Sequence, residues 1–337
     1  EEYFRQAERV LCQELGEPSS AVIAAGGGAI VNLENRLALA RGGLLFCLTC
    51  APAEALRRIG DPASRPMLHG DNPTNRIAHL MSERSPAYET IPRQIDTTHL
   101  SAETVVERVL AMYRRDCQWQ MLPVQHDRGA YNIVYGEGAL SHLGEIIAER
   151  GLRGQVAIIT NTVVGPLYRE RVMQRLHKAG LHPFVVEIAD GERAKTLETV
   201  ARIYDRLAVA GLERGEPVLA LGGGVVGDIA GLAAATYMRG VPLVQTPTTV
   251  LSMVDSSVGG KVAVDHPRGK NLIGAFKQPE VVVIDPAVLL SLPPAERRSG
   301  LAEIVKHGVI GAPDILDHLE QESTPDLSWL IPRAVQV

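Results

Sequence analysis

Cysteine is scarce, with four in 337 residues. That is too few for a disulfide framework and points to a reducing compartment, so a cytoplasmic location is expected. No apolar run approaches the roughly 20 residues that cross a bilayer, so a membrane partner is not expected. No dense Lys/Arg run is present and the net charge is −5, which argues against nucleic acid as a partner. A Walker motif is missing throughout. GxxxxGK[ST] would need glycine where Asp255 stands and a hydroxyl where Val262 stands, and Gly269-Lys270 fails in the same way. An initiator Met is also missing, and the run from Ile331 to Val337 has no capped finish. Both ends are therefore expected to be cut.

What is present is a globular composition, 45% hydrophobic, in a chain long enough for about two domains. The first stretch reads as helix 1–15, strand 21–25, Gly26-Gly27-Gly28, helix 32–41, strand 44–48 and helix 53–59. Helical patterns follow over 73–90 and 101–114, and such alternation implies a parallel sheet. Cys47 and Cys50 have CxxC spacing, but residues i and i+3 of a strand face opposite ways, so one metal would not take both thiolates. Residues 115–129 have no clear period and read as a linker. Alternation then restarts, with strands at 156–160, 183–188, 218–221, 242–245 and 281–284. Helices at 166–179, 196–210 and 226–237 lie among them, and a helical region starts at 295. The fold class is α/β, with a doubly wound sheet over 130–294 and the start of a helical domain over 295–337.

Three glycine- and hydroxyl-rich runs carry the chemistry. They are Gly222-Gly223-Gly224-Val225-Val226-Gly227-Asp228, Pro247-Thr248-Thr249, and Asp255-Ser256-Ser257-Val258-Gly259-Gly260-Lys261. Gly222-x-Gly224-x-x-Gly227 follows an apolar strand and opens a helix, the setting of a dinucleotide fingerprint. Its glycines let backbone approach a pyrophosphate, whose charge meets the N–H groups of the helix start. The usual acidic ribose partner about 20 residues on is missing, and Asp190-Gly191-Glu192 could serve instead. A tight strand–helix turn is the plain structural alternative. Asp255, Lys261, Lys270 and Asn271 gather in one polar stretch that fits phosphate, or a solvated hairpin. Glu303 and His307 stand at i, i+4 on one helix face, which is metal-ligand spacing, and Glu303 with Lys306 fits a surface ion pair.

Taken in order, these runs resemble 3-dehydroquinate synthase over residues 130–337. Further matching runs are Asp190-Gly191-Glu192-x-x-Lys195, Tyr237-Met238-Arg239-Gly240, Gly269-Lys270-Asn271-Leu272-Ile273-Gly274-Ala275-Phe276 and Ala302-Glu303-Ile304-Val305-Lys306. Residues 1 to 112 resemble shikimate kinase. The matching runs are Phe4-Arg5-x-x-Glu8, Gly26-Gly27-Gly28, Arg65-Pro66-Met67-Leu68 and Glu83-Arg84-Ser85-Pro86-Ala87-Tyr88. The resemblance implies a fusion of two shikimate-pathway enzymes: a partial P-loop-kinase-like domain over 1–114, then a Rossmann-like domain. On the synthase side it implies NAD on Asp190, Glu192, Lys195, Gly224, Val225, Gly227, Asp228, Thr248, Thr249, Lys261 and Lys270, with Ser291 near the adenosine end. Heptulosonate phosphate would meet Asp255, Lys261, Asn271 and Lys306. Arg239 would reach the phosphate in the neighbouring subunit of a homodimer. Glu303 would be one ligand of zinc or another divalent metal.

On the kinase side, Arg5, Gly27, Gly28 and Arg84 would hold shikimate, with Arg65 facing ATP and its Mg2+. The implied synthase reaction is a redox-masked elimination. Hydride leaves a ring alcohol, phosphate departs, hydride returns, and an aldol closure gives 3-dehydroquinate. The family's two zinc histidines and the kinase's phosphate-loop Lys are not found in this chain. The expectation is therefore no turnover in either reaction. Another sugar-phosphate cyclase and a non-catalytic scaffold piece are the alternatives.

Overall fold

The computed structural model describes residues 2–16, 21–40, 43–59, 72–91, 93–116, 119–127, 129–322 and 325–337. Arg65 and the rest of the Arg65-Pro66-Met67-Leu68 run lie outside the described residues. The first half holds α1 (Glu2–Leu15), α2 (Leu33–Leu39), β1 (Phe46–Thr49), α3 (Pro52–Ile59), α4 (Pro73–Tyr88), β2 (Arg93–Asp96) and α5 (Ala102–Asp116). β1 and β2 pair in parallel, Phe46 opposite Arg93. The strand expected over 21–25 does not form. A strand needs a neighbouring edge; these residues pair with neither β1 nor β2, and Val22 is fully exposed. Cys47 lies buried on β1, and burial pushes its thiol up to about 11, which disfavours a thiolate.

The second half continues with β3 (Gln120–His126), β4 (Gly129–Tyr135), α6 (Leu143–Glu149), β5 (Gln155–Asn161), α7 (Gly165–Lys178), β6 (His182–Ile188), α8 (Leu197–Ala210), β7 (Val218–Gly222), α9 (Gly224–Thr236), β8 (Leu243–Pro247), β9 (Lys261–His266), β10 (Gly269–Phe276) and β11 (Val281–Ile284). α10 (Pro294–Ile310), α11 (Pro313–Gln321) and α12 (Leu327–Val335) close the chain. Seven strands form one sheet in the order β3-β4-β11-β8-β7-β5-β6. The segment expected as a linker over 115–129 is corrected here. It carries β3, an edge strand antiparallel to β4, in which Pro123 is tolerated because an edge leaves one side unpaired.

β5 is buried end to end, as a strand covered on both faces must be. Its alternate residues divide between two cores. Val156 and Ile158 pack with α6, α7 and α12, whereas Ala157 and Ile159 pack with α8 and α9. The sheet is therefore doubly wound. β6 lies on one side of β5 and β7 on the other, so the order reverses at β5. Such a reversal opens a crevice beyond the carboxyl ends of the strands. Among the described residues no helix is long and apolar enough to cross a membrane.

Candidate functional site

Several of the residues expected to hold a cofactor are linked around the end of β7 and the start of α9. β7 ends at Gly222, and α9 starts two residues later with Gly223 as its cap. Glycine has no side chain to satisfy the first N–H groups, so the helix start presents free donors and a positive dipole end. At Gly224 a Cβ would lie 2.9 Å from Ser256 Oγ, so a larger residue would close the turn from the Ser256 side. Val225 and Gly227 follow in the first turn. From the end of β8, the Thr248 N–H donates to Gly222 O at 3.0 Å. The Thr248 side chain is buried, and its hydroxyl has no hydrogen-bond partner among the described residues. Glycine backbone, an uncapped helix start and an orphan hydroxyl are the groups a pyrophosphate needs.

The charged residues of the crevice form a linked set. Lys195 is 6% exposed at its side chain and lies 2.5 Å from Asp228 Oδ2. It also donates to Asn271 Oδ1 at 2.5 Å. Burial pushes the Asp228 carboxyl above its usual range, against the opposing pull of Lys195. Lys270 Nζ donates to Glu192 at 2.9 Å. Both bonds tie the β9–β10 hairpin to the 190–195 loop. Asp190 is fixed from β5, where Asn161 Nδ2 donates to it at 2.5 Å.

Asn161 also accepts from the N–H groups of Val163 and Val164, ordering the entry to α7. Thr249 exchanges hydrogen bonds with Ser252, which starts a π-helical turn over Ser252–Ser256 that carries Asp255. Such turns often mark functional sites. Ser291 Oγ lies 2.6 Å from the Tyr168 hydroxyl.

Glu303 and Lys306 form an ion pair on α10, and His307 Nε2 lies 3.7 Å from Glu303 Oε1. Burial lowers the His307 pKa, with the Lys306 charge a second cause. No group of three His, Cys, Asp or Glu side chains that could hold a metal occurs among the described residues. Lys261 opens β9 and stands exposed. Arg239 is exposed as well, and both it and Met238 have positive φ, 67° and 50°, which is strained for residues with a Cβ. Among the described residues neither Lys261 nor Arg239 bonds to the other candidates.

In the first half the structure brings Arg5, Arg84, Gly27 and Gly28 together. A Cβ at Gly27 would stand 2.5 Å from Tyr88 Oη and 3.2 Å from Arg84 Nη1, and one at Gly28 would stand 3.0 Å from Arg5 Nη1. Two guanidiniums thus face a glycine turn, an arrangement suited to a carboxylate. Tyr88 donates to Gly27 O at 3.0 Å.

Sequence reasoning missed Asp265. Its N–H donates to Lys195 O at 2.9 Å, and its Oδ1 accepts from the Asn271 N–H at 2.8 Å. Asn271 has φ 56°, so this carboxylate holds a left-handed turn in place. The Asp-x-x-Arg-Gly-Lys-Asn spacing was the available signal. Asn161, Tyr168 and Tyr131 were missed as well; the last donates no charge but accepts from the Gly259 N–H at 3.2 Å.

Residues 1–114 match the shikimate kinase family model, and residues 185–299 match that of the 3-dehydroquinate synthase N-terminal part. A 3-dehydroquinate synthase of Geobacter metallireducens is 53% identical over 199 residues, 59% of this chain and 55% of that protein. One from Pelotomaculum thermopropionicum is 53% identical over 192 residues, 57% and 52% of the two chains. The chain thus spans about half the length of these relatives.

Among solved structures, 2-epi-5-epi-valiolone synthase from Streptomyces hygroscopicus, with NAD+ and Zn2+ bound, superposes with TM-score 0.57 at 31% identity, covering 65% of this chain and 62% of that one. A 2-deoxy-scyllo-inosose synthase complexed with carbaglucose-6-phosphate, NAD+ and Co2+ gives 0.57 at 26%, covering 64% and 62%. An iron-containing alcohol dehydrogenase shares the fold, with TM-score 0.52 at 16% identity over 65% and 67%. The matches fit a chain in which a shikimate-kinase segment precedes a 3-dehydroquinate-synthase segment.

Proposed function

We propose that this chain serves the shikimate pathway, as part of a shikimate kinase joined to the cofactor-binding half of a 3-dehydroquinate synthase. The synthase converts 3-deoxy-D-arabino-heptulosonate 7-phosphate to 3-dehydroquinate and phosphate. The observation that carries the reading is Lys195, held between Asp228 and Asn271 at the mouth of the glycine turn. It joins the cofactor cradle to the hairpin expected to hold substrate.

NAD fits the cradle. Its pyrophosphate would meet the start of α9 and Thr248, its ribose Asp190 or Glu192, and its adenosine end Ser291. Bound there, the dinucleotide supplies a reversible hydride acceptor. The chain's own residues do the placing. Lys261, with Arg239 of a neighbouring subunit in a homodimer, would meet the phosphate. Asn271 and Lys306 would exchange their present partners, Lys195 and Glu303, for substrate hydroxyls. Asp255, exposed on its π turn, would complete the polar set toward substrate.

The related cyclases carry Zn2+ or Co2+. Glu303 and His307 supply two candidate groups, one short of the three protein ligands of a catalytic zinc site. In the kinase half, Arg5 and Arg84 would pair with the shikimate carboxylate, and ATP with Mg2+ would supply the phosphoryl group.

Calorimetric titration with NAD+ tests the cofactor reading. Binding is expected, and Lys195→Met is expected to weaken it about tenfold, the scale of a charged hydrogen bond. No heat at millimolar NAD+ would sink the reading. A second reading is another sugar-phosphate cyclase, favoured by the two cyclase superpositions. Product analysis of the full-length enzyme with the heptulosonate substrate separates the two. The 53% identity to 3-dehydroquinate synthases, against 31% and 26%, supports the first.

A further inference from the structure

Three buried arginines outside the proposed sites lie along the junction of the two halves. Arg93 on β2 pairs with Glu137, in the turn after β4, with side chains 1% and 2% exposed. Its guanidinium also lies 5.8 Å from the Phe46 ring centre. Arg36 on α2 donates from Nη1 to the carbonyls of Ile30 at 2.7 Å and Val31 at 2.8 Å, and its Nη2 lies 3.5 Å from Leu290 O. Arg297, in the first turn of α10, is buried, and its Nη1 has no hydrogen-bond partner among the described residues. Between these groups Ala29, Ile30, Leu39 and Ile91 pack in one apolar cluster with Ala287 and Leu290. Burying a guanidinium is costly unless it is paired and hydrogen-bonded. Arg93 is paired and Arg36 is hydrogen-bonded, and with the apolar cluster between them they mark a packed surface and not a loose tether.

Each side of the seam leads to a candidate site. On the first side, Arg36 fixes the carbonyls that follow Gly27 and Gly28, and Tyr88, bonded to Gly27, adjoins Glu89. On the other side, Leu290 precedes Ser291, and Pro293-Pro294 leads directly into α10. α10 is one unbroken helix, so a displacement at Arg297 is carried to Glu303 about 9 Å along the axis and on to Lys306.

We propose that residues 286–297 form a docking surface for the N-terminal half, and that the docked half fixes the helix carrying Glu303 and Lys306. This goes beyond the proposed function and needs neither reaction to occur.

Hydrogen–deuterium exchange on the whole chain tests it. Arg93→Met removes the guanidinium that pairs with the buried Glu137 across the junction. Exchange over 286–310 is expected to rise about tenfold or more while the central strands β5 and β7 stay protected. The double variant Arg93→Met/Glu137→Leu replaces the pair by apolar groups and is expected to restore exchange to within about threefold of the parent. Arg36→Met cuts the seam at its other end, with the same rise expected over 286–310, and serves if Arg93→Met does not fold. Changes confined to β1, β2 and the Glu137 turn, with 286–310 unaltered in both single variants, would overturn the proposal.

Discussion

Replacing Thr248 by Val separates two jobs that one hydroxyl can do. The side chain is 5% exposed and its Oγ1 lacks a partner among the described residues. Leaving a buried hydroxyl unpaired costs about 1–3 kcal/mol. Valine has nearly the same shape, so the ligand-free chain should gain about 1 kcal/mol on losing that group. For a chain of this size that is a rise in Tm of roughly 2 °C. If the hydroxyl serves a bound dinucleotide, the same change removes a hydrogen bond worth about 0.5–1.5 kcal/mol, and NAD+ affinity should fall about 3–10-fold. Thermal unfolding without ligand gives the first quantity and calorimetric titration the second. Opposite signs for stability and affinity are the signature of a functional group held at structural expense. A lower Tm with unchanged affinity would refute the reasoning, since the hydroxyl would then be satisfied within the fold.

Asp265→Ala should loosen the Asn271 turn and cost about 1–2 kcal/mol in urea unfolding, whereas Asp265→Asn keeps the accepting oxygen and should stay near the parent. Equal losses in both variants would mean that charge, not the acceptor, holds the turn. Tyr168 is buried and hydrogen-bonded to Val288 O and Ser291, and burial pushes its phenol up to about 12 from 10.0. Its folded pKa is raised, so its contribution is complete below pH 10 and is lost as pH rises through 10 towards 12. Between about pH 9 and about pH 11 the parent should lose roughly 1.4 kcal/mol more stability than Tyr168→Phe, measured from denaturant midpoints. Parallel pH profiles for the two would contradict the assignment.

The glycine turn was legible as a tight strand–helix turn, and a Cβ at Gly222, Gly224 or Gly227 would stand 2.6, 2.9 or 3.0 Å from the side chains of Val226, Ser256 and Gln245. The pairing pattern around it was not legible. Lys195, Asp228 and Asn271 are far apart in sequence, and only the hairpin folding back over the 190–195 loop makes them one group. β3 escaped notice because its exposure alternates along an edge, with Leu122 and Val124 half-buried between exposed Met121, Pro123 and Gln125, which blurs the polar–apolar period. Residues 21–25 misled in the opposite direction. Their apolar run satisfies strand propensity, yet propensity without a neighbouring edge makes no hydrogen bonds.

The seam between the halves was the least legible feature, and the reason is physical. An arginine in sequence is by default a solvated surface residue, and nothing local distinguishes Arg36, Arg93 or Arg297 from Arg57, which stays exposed beside Glu54. Across the junction Arg93 finds the Glu137 carboxylate and Arg36 the Leu290 carbonyl, acceptors that come from the other half of the chain. The turn that carries Glu137 is held independently of Arg93. The Gly138 and Leu140 N–H groups both donate to Asp285, at 3.1 Å each, from the end of β11. That turn is thus tied to the sheet through Asp285. Disturbing Asp285 should therefore weaken the junction more than any change on the N-terminal side, because it removes the fixed partner on which both the turn and the start of the 286–291 segment depend.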